Sequence, residues 1–412
     1  MADGPIILGR QEAILFKLQA SPGTDAAPVP TLDAVPFNRG TYSDGEATRL
    51  IEAVEASDGL AAGAPVIAGQ SVPISFTFQL KGAGAGTTYT SVIRPPHHAV
   101  YAACGLKPFF QAAVATTLAT AGTTTAATLQ TPYVATAQAY RGMPMNVTAG
   151  PNSGEALLCS DYTVGRVATF ADLLGTAMTA ASSIAVPANW TYAPTSPADA
   201  AARATDHPGA TLYRYVGGKL RKFIDVRGQI TINGNSSNVG TATFQGTGTF
   251  VDETDAAFPT TLAIAGHSAP LILQGNNVSE AFLINRRPLA ISQFSLAMSA
   301  TIETPDDPNT ANGFGEAIIG GRTPLFSCDP LQSQVATRNT LADIVAGNRY
   351  TGAIRGGYTA GNRWGLTMPL MQPVSRAEAD RGEARSENTQ LRVLNPGKDA
   401  QGRDNDFVLN FS

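Results

Sequence analysis

The clearest alternation in the chain spans residues 72–80, where Val72, Ile74, Phe76, Phe78 and Leu80 alternate with Pro73, Ser75, Thr77 and Gln79. A period of two sends one set of side chains to a buried face and the other to water, so a strand is predicted there. The same period recurs where Ile224, Val226, Gly228, Ile230 and Ile232 alternate with Asp225, Arg227, Gln229 and Thr231. After a turn-rich break at residues 233–238, Ala242, Phe244, Gly246, Gly248 and Phe250 alternate with Thr241, Thr243, Gln245, Thr247 and Thr249, completing a hairpin. Gly228, Gly246 and Gly248 fall on its apolar face, where glycine signals a bend or the close approach of another backbone.

Elsewhere the pattern is fragmentary. Residues 1–30 hold the apolar runs Ile6 to Leu8 and Ile14 to Leu18 and end in SPGTDAAPVP, an arm along a neighbour or a disordered tail. Residues 31–47 alternate weakly, as a strand would, and residues 43–63 dissolve into charged and small residues, a loop. A short helix is predicted at residues 96–104, opened by Pro95-Pro96 and closed by Gly105, with Ala99, Val100, Ala103 and Cys104 inward. Residues 109–188 carry no continuous core pattern and read as an insertion, either a small β-subdomain or a surface extension. Leu289 and Ile291 are out of phase with Phe294, Leu296, Met298, Ala300 and Ile302, which implies a bulge near Ser292 and Gln293. Residues 303–315 form a long polar loop. A second helix over residues 337–347 has Asn339 or Thr340 as cap, Leu341, Ile344 and Val345 inward and Gly347 as stop. Strands follow near residues 350–355, 364–370, 391–394 and 407–411.

The two halves echo one another. Val66-Ile67-Ala68-Gly69-Gln70-Ser71 matches Ile318-Ile319-Gly320-Gly321-Arg322-Thr323, each soon followed by a proline, Pro73 or Pro324, and AVYAACG at residues 99–105 matches LADIVAG at residues 341–347. The matches occur in the same order between the same predicted elements. The domains expected are an arm at 1–30, a first β-domain at 31–108 and 189–260, the insertion at 109–188, and a second β-domain at 261–412.

Composition narrows the function. Only 15% of the 412 residues are charged, against 41 glycines and 27 prolines, a profile of β-structure with many turns. A net charge of −4 supports no sequence-wide grip on DNA or an anionic membrane. No run approaches the roughly 18 apolar residues of a membrane span, and the first residues lack a signal-peptide pattern, so synthesis in a cytoplasm is expected. Cys104, Cys159 and Cys328 are too widely spaced for a zinc pattern and read as buried free thiols. The glycines at residues 82–86 lack the lysine and hydroxyl of a phosphate-binding loop and read as a turn. His97 and His98, adjacent on a helix, point apart and read as polar surface. His207 and His267 complete the histidines, and no H-E-x-x-H, G-x-S-x-G or paired-cysteine motif occurs. Asp306-Asp307 precedes a proline and reads as a turn, with a weak calcium site as the alternative. Glu303, Asp306, Asp307 and Glu316 are the only acidic cluster a glycan-acting enzyme could use. In the basic and aromatic run YRYVGGKLRKF, the one stretch with the interleaving of a nucleic-acid reader, the cations read as flanking a turn or pairing with a neighbouring subunit. No catalytic, cofactor or metal site emerges, so a non-enzyme is expected.

The turn Gly23-Thr24-Asp25, the strand at 72–80, the helix ending in Cys104-Gly105, the hairpin at 220–251 and a strand at 389–394 resemble, in that order, the tail tube (major tail) proteins of long-tailed, non-contractile bacteriophages. The resemblance covers residues 10–105 and 189–412. It implies a mainly β fold: two tandem tail-tube-type β-sandwich or barrel domains, each with a short flanking α-helix, plus the inserted extension. It also implies homotrimeric, pseudo-hexameric rings stacked into a hollow tube, assembled in the host cytoplasm and resident in the virion tail. The partners implied are the tape measure protein, the tail terminator, baseplate or tail-tip proteins, and genomic DNA passing unbound through the lumen. Ser43, Asp44, Glu46 and Asp58, with Glu303, Asp306, Asp307 and Asn309, are the candidates for mobile loops that order against the next ring. The alternative is a phage or bacterial surface β-rich binding or decoration protein whose insertion is the binding end.

Overall fold

The computed structural model describes residues 11–52, 64–264, 269–276, 279–310 and 312–412. The run Ile6 to Leu8, Asp58 and His267 lie outside them. Strand accounts for 47% and helix for 6%, so the fold is mainly β.

The chain begins with β1 (Glu12–Leu18), α1 (Pro30–Asp33), β2 (Ala34–Val35), β3 (Ser43–Asp44), β4 (Thr48–Ile51), β5 (Val66–Gly69), β6 (Val72–Gln79), α2 (His98–Ala103) and β7 (Leu106–Gln111). Then come β8 (Val114–Thr117), β9 (Ala126–Thr128), β10 (Pro144–Ala149), β11 (Ala156–Tyr162), β12 (Val167–Phe170) and β13 (Ser183–Val186), which pair among themselves in one six-stranded sheet. They close on their own core, including Leu118, Met143, Met145, Tyr162, Phe170 and Ile184. β14 (Asn189–Pro194), α3 (Ala200–Asp206), β15 (Ala210–Val216), β16 (Lys219–Asn235) and β17 (Thr241–Asp255) follow. The remainder is β18 (Phe282–Ile284), β19 (Arg287–Pro288), β20 (Gln293–Ala297), β21 (Ala300–Glu303), β22 (Ile318–Arg322), β23 (Leu325–Cys328), α4 (Thr340–Ala346), β24 (Tyr350–Thr359), β25 (Asn362–Arg381), β26 (Ala384–Val393) and β27 (Val408–Phe411).

The pairings come in two matching sets. β1–β2, β1–β15, β15–β16, β16–β17, β17–β6, β6–β3 and β4–β5 form the first. β18–β19, β18–β24, β24–β25, β25–β26, β26–β23, β23–β20 and β21–β22 repeat them. β16 pairs with β20 and joins the sets into one sheet, while β27 is buried along its length and pairs with both β14 and β25. Both sets feed one core, in which Phe76 stacks on Phe244 at 5.0 Å and Phe282, Phe294 and Phe326 sit within 6.1 Å of one another. Each such ring, fully buried, contributes about 1.5–3 kcal/mol.

β6 buries Val72, Ile74, Phe76 and Phe78 on one face, as its alternation requires. Several other expectations need correction. Residues 30–33 form a helical turn opened by Pro30 where a strand was expected. Residues 43–63 are not simply a loop, since β3 joins β6 and β4 joins β5. In β16, Asp225 adopts φ +53° and bulges, so Phe223 rather than Ile224 continues the core face and Arg227 is buried at 1% exposure. The change of phase expected near Ser292 does occur there, since Leu289 and Ile291 pack on the core, Ser292 and Gln293 are exposed and Phe294 resumes burial, while Ser299 (φ +50°) separates β20 from β21. α4 has its predicted Asn339 cap and left-handed Gly347, yet Leu341 (55% exposed) and Val345 (82%) face outward.

The glycines on the hairpin's apolar face answer to packing. A Cβ on Gly246 would lie 2.2 Å from Arg227 O and 2.8 Å from Gly228 Cα, both backbone atoms that cannot swing aside. Gly246→Ala is expected to destabilise the protein by about 1–3 kcal/mol through forced backbone displacement. Gly321→Ala, which meets nothing within 4 Å, should stay within about 0.5 kcal/mol of wild type; urea midpoints at constant slope measure both.

Candidate functional site

Alternation carried in register from strand to strand gathers every second side chain on one surface. Along one line across seven strands, Gln79, Thr241, Asn233, Ser295, Ser327, Gln390 and Ser375 stand neighbour to neighbour. The line beside it, on the opposite face, reads Phe78, Ala242, Ile232, Leu296, Phe326, Leu391 and Pro373. One face is therefore core, and along this line the other face carries hydroxyls and amides without charge. The next polar line, Thr77, Thr243, Thr231, Ala297 and Leu325, ends in a single cation, Arg392. The Thr77 and Thr243 hydroxyls lie 3.0 Å apart, so the surface also hydrogen-bonds within itself.

Charge collects at the two ends of this sheet. At one end the run YRYVGGKLRKF turns at Gly217-Gly218, and its cations pair within the chain: Arg214 and Arg221 hold Asp44 (3.1 and 2.5 Å), Lys219 meets Glu253 and Lys222 meets Asp252. At the other end the β25–β26 arm carries Arg376 with Glu378 and Glu387, and Arg385 with Glu378 and Asp380, at 2.7–3.3 Å. The sheet is unpaired at both limits. Among the described residues, residues 372–381 of β25 pair only with β26, and β3 pairs only with β6.

The predicted loop residues divide between these features. Ser43 is exposed in β3 on the polar face, whereas the Asp44 side chain, 8% exposed, pairs with Arg214 and Arg221. Glu46 is exposed, and its carbonyl accepts Gln70 Nε2. Glu303 ends β21 rather than opening a loop. Asp306 bridges Phe314 across the tip, and Asp307 Oδ1 accepts both the backbone and side-chain nitrogens of Asn309, the turn its sequence implies. The β21–β22 tip meets the β4–β5 ribbon, with Arg49 over the Phe314 ring at 5.6 Å and Gly69 packed on Asn312, so the two predicted regions adjoin.

The candidate reactive groups are dispersed. His97, expected on the surface, is fully buried; it stacks on Phe78 at 4.0 Å and donates from Nε2 to Pro36 O. His98 shares a hydrogen bond with the Tyr192 hydroxyl, and burial followed by the nearby Arg94 guanidinium pushes its pKa down to about 3, so it stays neutral. His207 is buried too and donates to Thr195 O. All three cysteines are buried free thiols, and burial pushes Cys159 and Cys328 up to about 12. Glu316 leaves the acidic cluster for Arg227 (3.0 Å) and Arg203. Among the described residues no three His, Cys, Asp or Glu side chains stand close enough to hold a metal ion, and no helix is long and apolar enough to cross a membrane.

Sequence reasoning missed the line of uncharged side chains as a unit, because its members come from seven strands whose order only the pairing reveals. It also missed Arg403, fully buried and bound to Asp399 at 2.7 Å, and Arg322, held by Asp404 and Asp406 at 2.5 Å each. The polar run KDAQGRDND was the available signal. The chain matches no protein-family model and no curated protein.

A central line of neutral hydroxyls and amides, with Arg392 the one cation on the line beside it, offers a polyanion little phosphate-neutralising charge. The triple variant Thr243→Lys, Ser295→Lys and Ser327→Lys is expected to gain duplex-DNA binding that wild type lacks, its log affinity falling with log salt by about 0.9 for each lysine that meets a phosphate. Fluorescence anisotropy across a salt series checks this.

Proposed function

We propose that this chain is the repeating subunit of a hollow tube, of the kind formed by tail tube proteins of long-tailed, non-contractile bacteriophages. The observation that carries the reading is a single sheet with one apolar face, one polar face whose central line is uncharged, and an unpaired edge at each end. Open edges left in water template uncontrolled association, and pairing them head to tail around a ring removes them. The matching sets of pairings support two tandem domains of one β-fold, so that three chains supply six domain positions. The polar face then lines the lumen, where DNA passes without being gripped. On this reading the tape measure protein occupies the lumen during assembly, and terminator and tail-tip proteins cap the ends. The tube is built in the host cytoplasm and ends in the virion tail. The chain carries no chemistry of its own.

A surface-binding or decoration protein is the second reading, favoured by the separate core of residues 114–186. It leaves the open sheet edges without a role.

Purified protein is expected to give rings or tubes in negative-stain micrographs, and isolated particles at every concentration would favour the second reading. Hydrogen exchange at residues 43–52 and 303–310 is expected to slow on assembly; equal protection in free and assembled protein would remove these segments from the contact between rings.

A further inference from the structure

The two sets of pairings can be aligned along one line of side chains. In one, Ser43, Ser75, Gln245 and Gln229 stand in line; in the other, Ser295, Ser327, Gln390 and Ser375 do. The first set is completed on one side by the second. β16 pairs with β20 from Thr231 opposite Ala297 to Asn235 opposite Gln293, and beyond the seam Met298 N donates to Ile230 O and Ala300 N to Gln229 Oε1. That brings the β21–β22 ribbon over β16, with Ala300 and Ile319 buried and the Ile319 side chain 3.3 Å from where a Gly105 Cβ would stand, at the end of α2.

Within one chain the second set has no such completion. The counterpart of β16 is β25, whose edge is open, and the counterpart of β20 is the stretch around β3. The ribbon β4–β5, counterpart of β21–β22, leaves Leu50 (56%), Ile51 (47%), Val66 (64%) and Ile67 (69%) exposed. The surfaces that would cover it are exposed as well: Val374 on β25 and Val345 beside Gly347, the glycine that matches Gly105.

We infer that a second copy of this chain repeats the internal seam at the open end. Ala377, Glu378 and Ala379 pair with the partner's Gly45, the partner's Asp44 and the partner's Ser43, and the partner's β4–β5 ribbon seats over Val374 and the last turn of α4. The inference rests on the ring-forming reading and adds its register. On the core side the internal seam is apolar, through Ile232 and Leu296. The intermolecular seam sets Glu378, held by Arg376 and Arg385, against an aspartate held by Arg214 and Arg221. Carboxylates directly opposite one another repel, so this seam depends on the four arginines that neutralise them and is salt-sensitive.

Two experiments, each with its control variant, test this. With Ser43→Cys and Ala379→Cys in one chain, mild oxidation of assembled protein is expected to give a covalent ladder ending in a closed ring. Ser43→Cys with Ala377→Cys, on the same face but two residues out of register, should cross-link about tenfold less, since that diagonal lies some 7–8 Å apart. Equal or reversed yields in assemblies seen by microscopy overturn the register and leave the tube reading intact. Ile67→Asp is expected to raise the critical assembly concentration at least about tenfold, because the seated ribbon would bury an unpaired carboxylate, without changing the melting temperature of the free chain. Val164→Asp, equally exposed (66%) but in the insertion, should assemble as wild type. If Ile67→Asp also assembles as wild type, the ribbon contact is wrong. If wild type never assembles, the tube reading itself falls and this inference with it.

Discussion

Main-chain pairing of Thr231–Asn235 with Gln293–Ala297 is the constraint on which the architecture depends. It joins the two matching sets of strands edge to edge, and it sets the phase of alternation for everything beyond it. A slip of one residue would carry Leu296 and Phe326 to the wet face and Ser295 and Ser327 into the core. The register is held by what each face buries: Phe294 fills the space left by Gly234, whose Cβ would stand 2.5 Å from the ring. Backbone pairing and side-chain packing thus specify the same alignment, and such agreement between levels is what gives a sequence one structure.

The chain's last residues stabilise this sheet by a different means. β27 enters between β14 and β25, buried on both faces, and is preceded by Asp399, Arg403, Asp404 and Asp406. Removing those charges from water costs several kcal/mol each, which paired geometry must offset. Arg403 does so with Asp399 and by donating to Thr191 O and Oγ1 and Lys107 O; Arg322 bridges Asp404 and Asp406. Burial still pushes the Asp406 carboxyl above its ordinary range, with Arg322 opposing the shift. Buried pairs of this kind add little net stability, but they admit few arrangements, so they fix where the tail threads.

Strand periodicity was legible wherever one face is wet and the other dry. β6 and the β16–β17 hairpin were readable to within a bulge, and the glycines on the hairpin's inner face announced the close backbone approach seen at Gly246. Where both faces are buried, as in β14 and β27, alternation carries no phase. Where neither is, as in β4, it reads as loop. Asp225 was illegible for another reason: its left-handed backbone answers to Gly23 N, which donates to its carboxylate from 202 residues away. The outward Leu341 and Val345 mark the same limit. Amphipathic spacing says that a face is to be covered and cannot say by which molecule.

The neutral central line and the ionic ends belong to one physical arrangement. A surface that carries phosphates past it along its whole length cannot hold many lysines, since each would exchange a counterion and retain the polymer at every step. It also lacks exposed aromatic rings along its central line, the platforms on which bases stack. Hydroxyls and amides that bond to one another and to water do neither. Charge is tolerated at the sheet's ends, where Asp44 is enclosed by Arg214 and Arg221 and Glu378, still 56% exposed, pairs with Arg376 and Arg385. On the proposed reading, the partition of charge from centre to rim is what a sheet needs if it passes a polyanion on its face and pairs with a copy of itself at its edge.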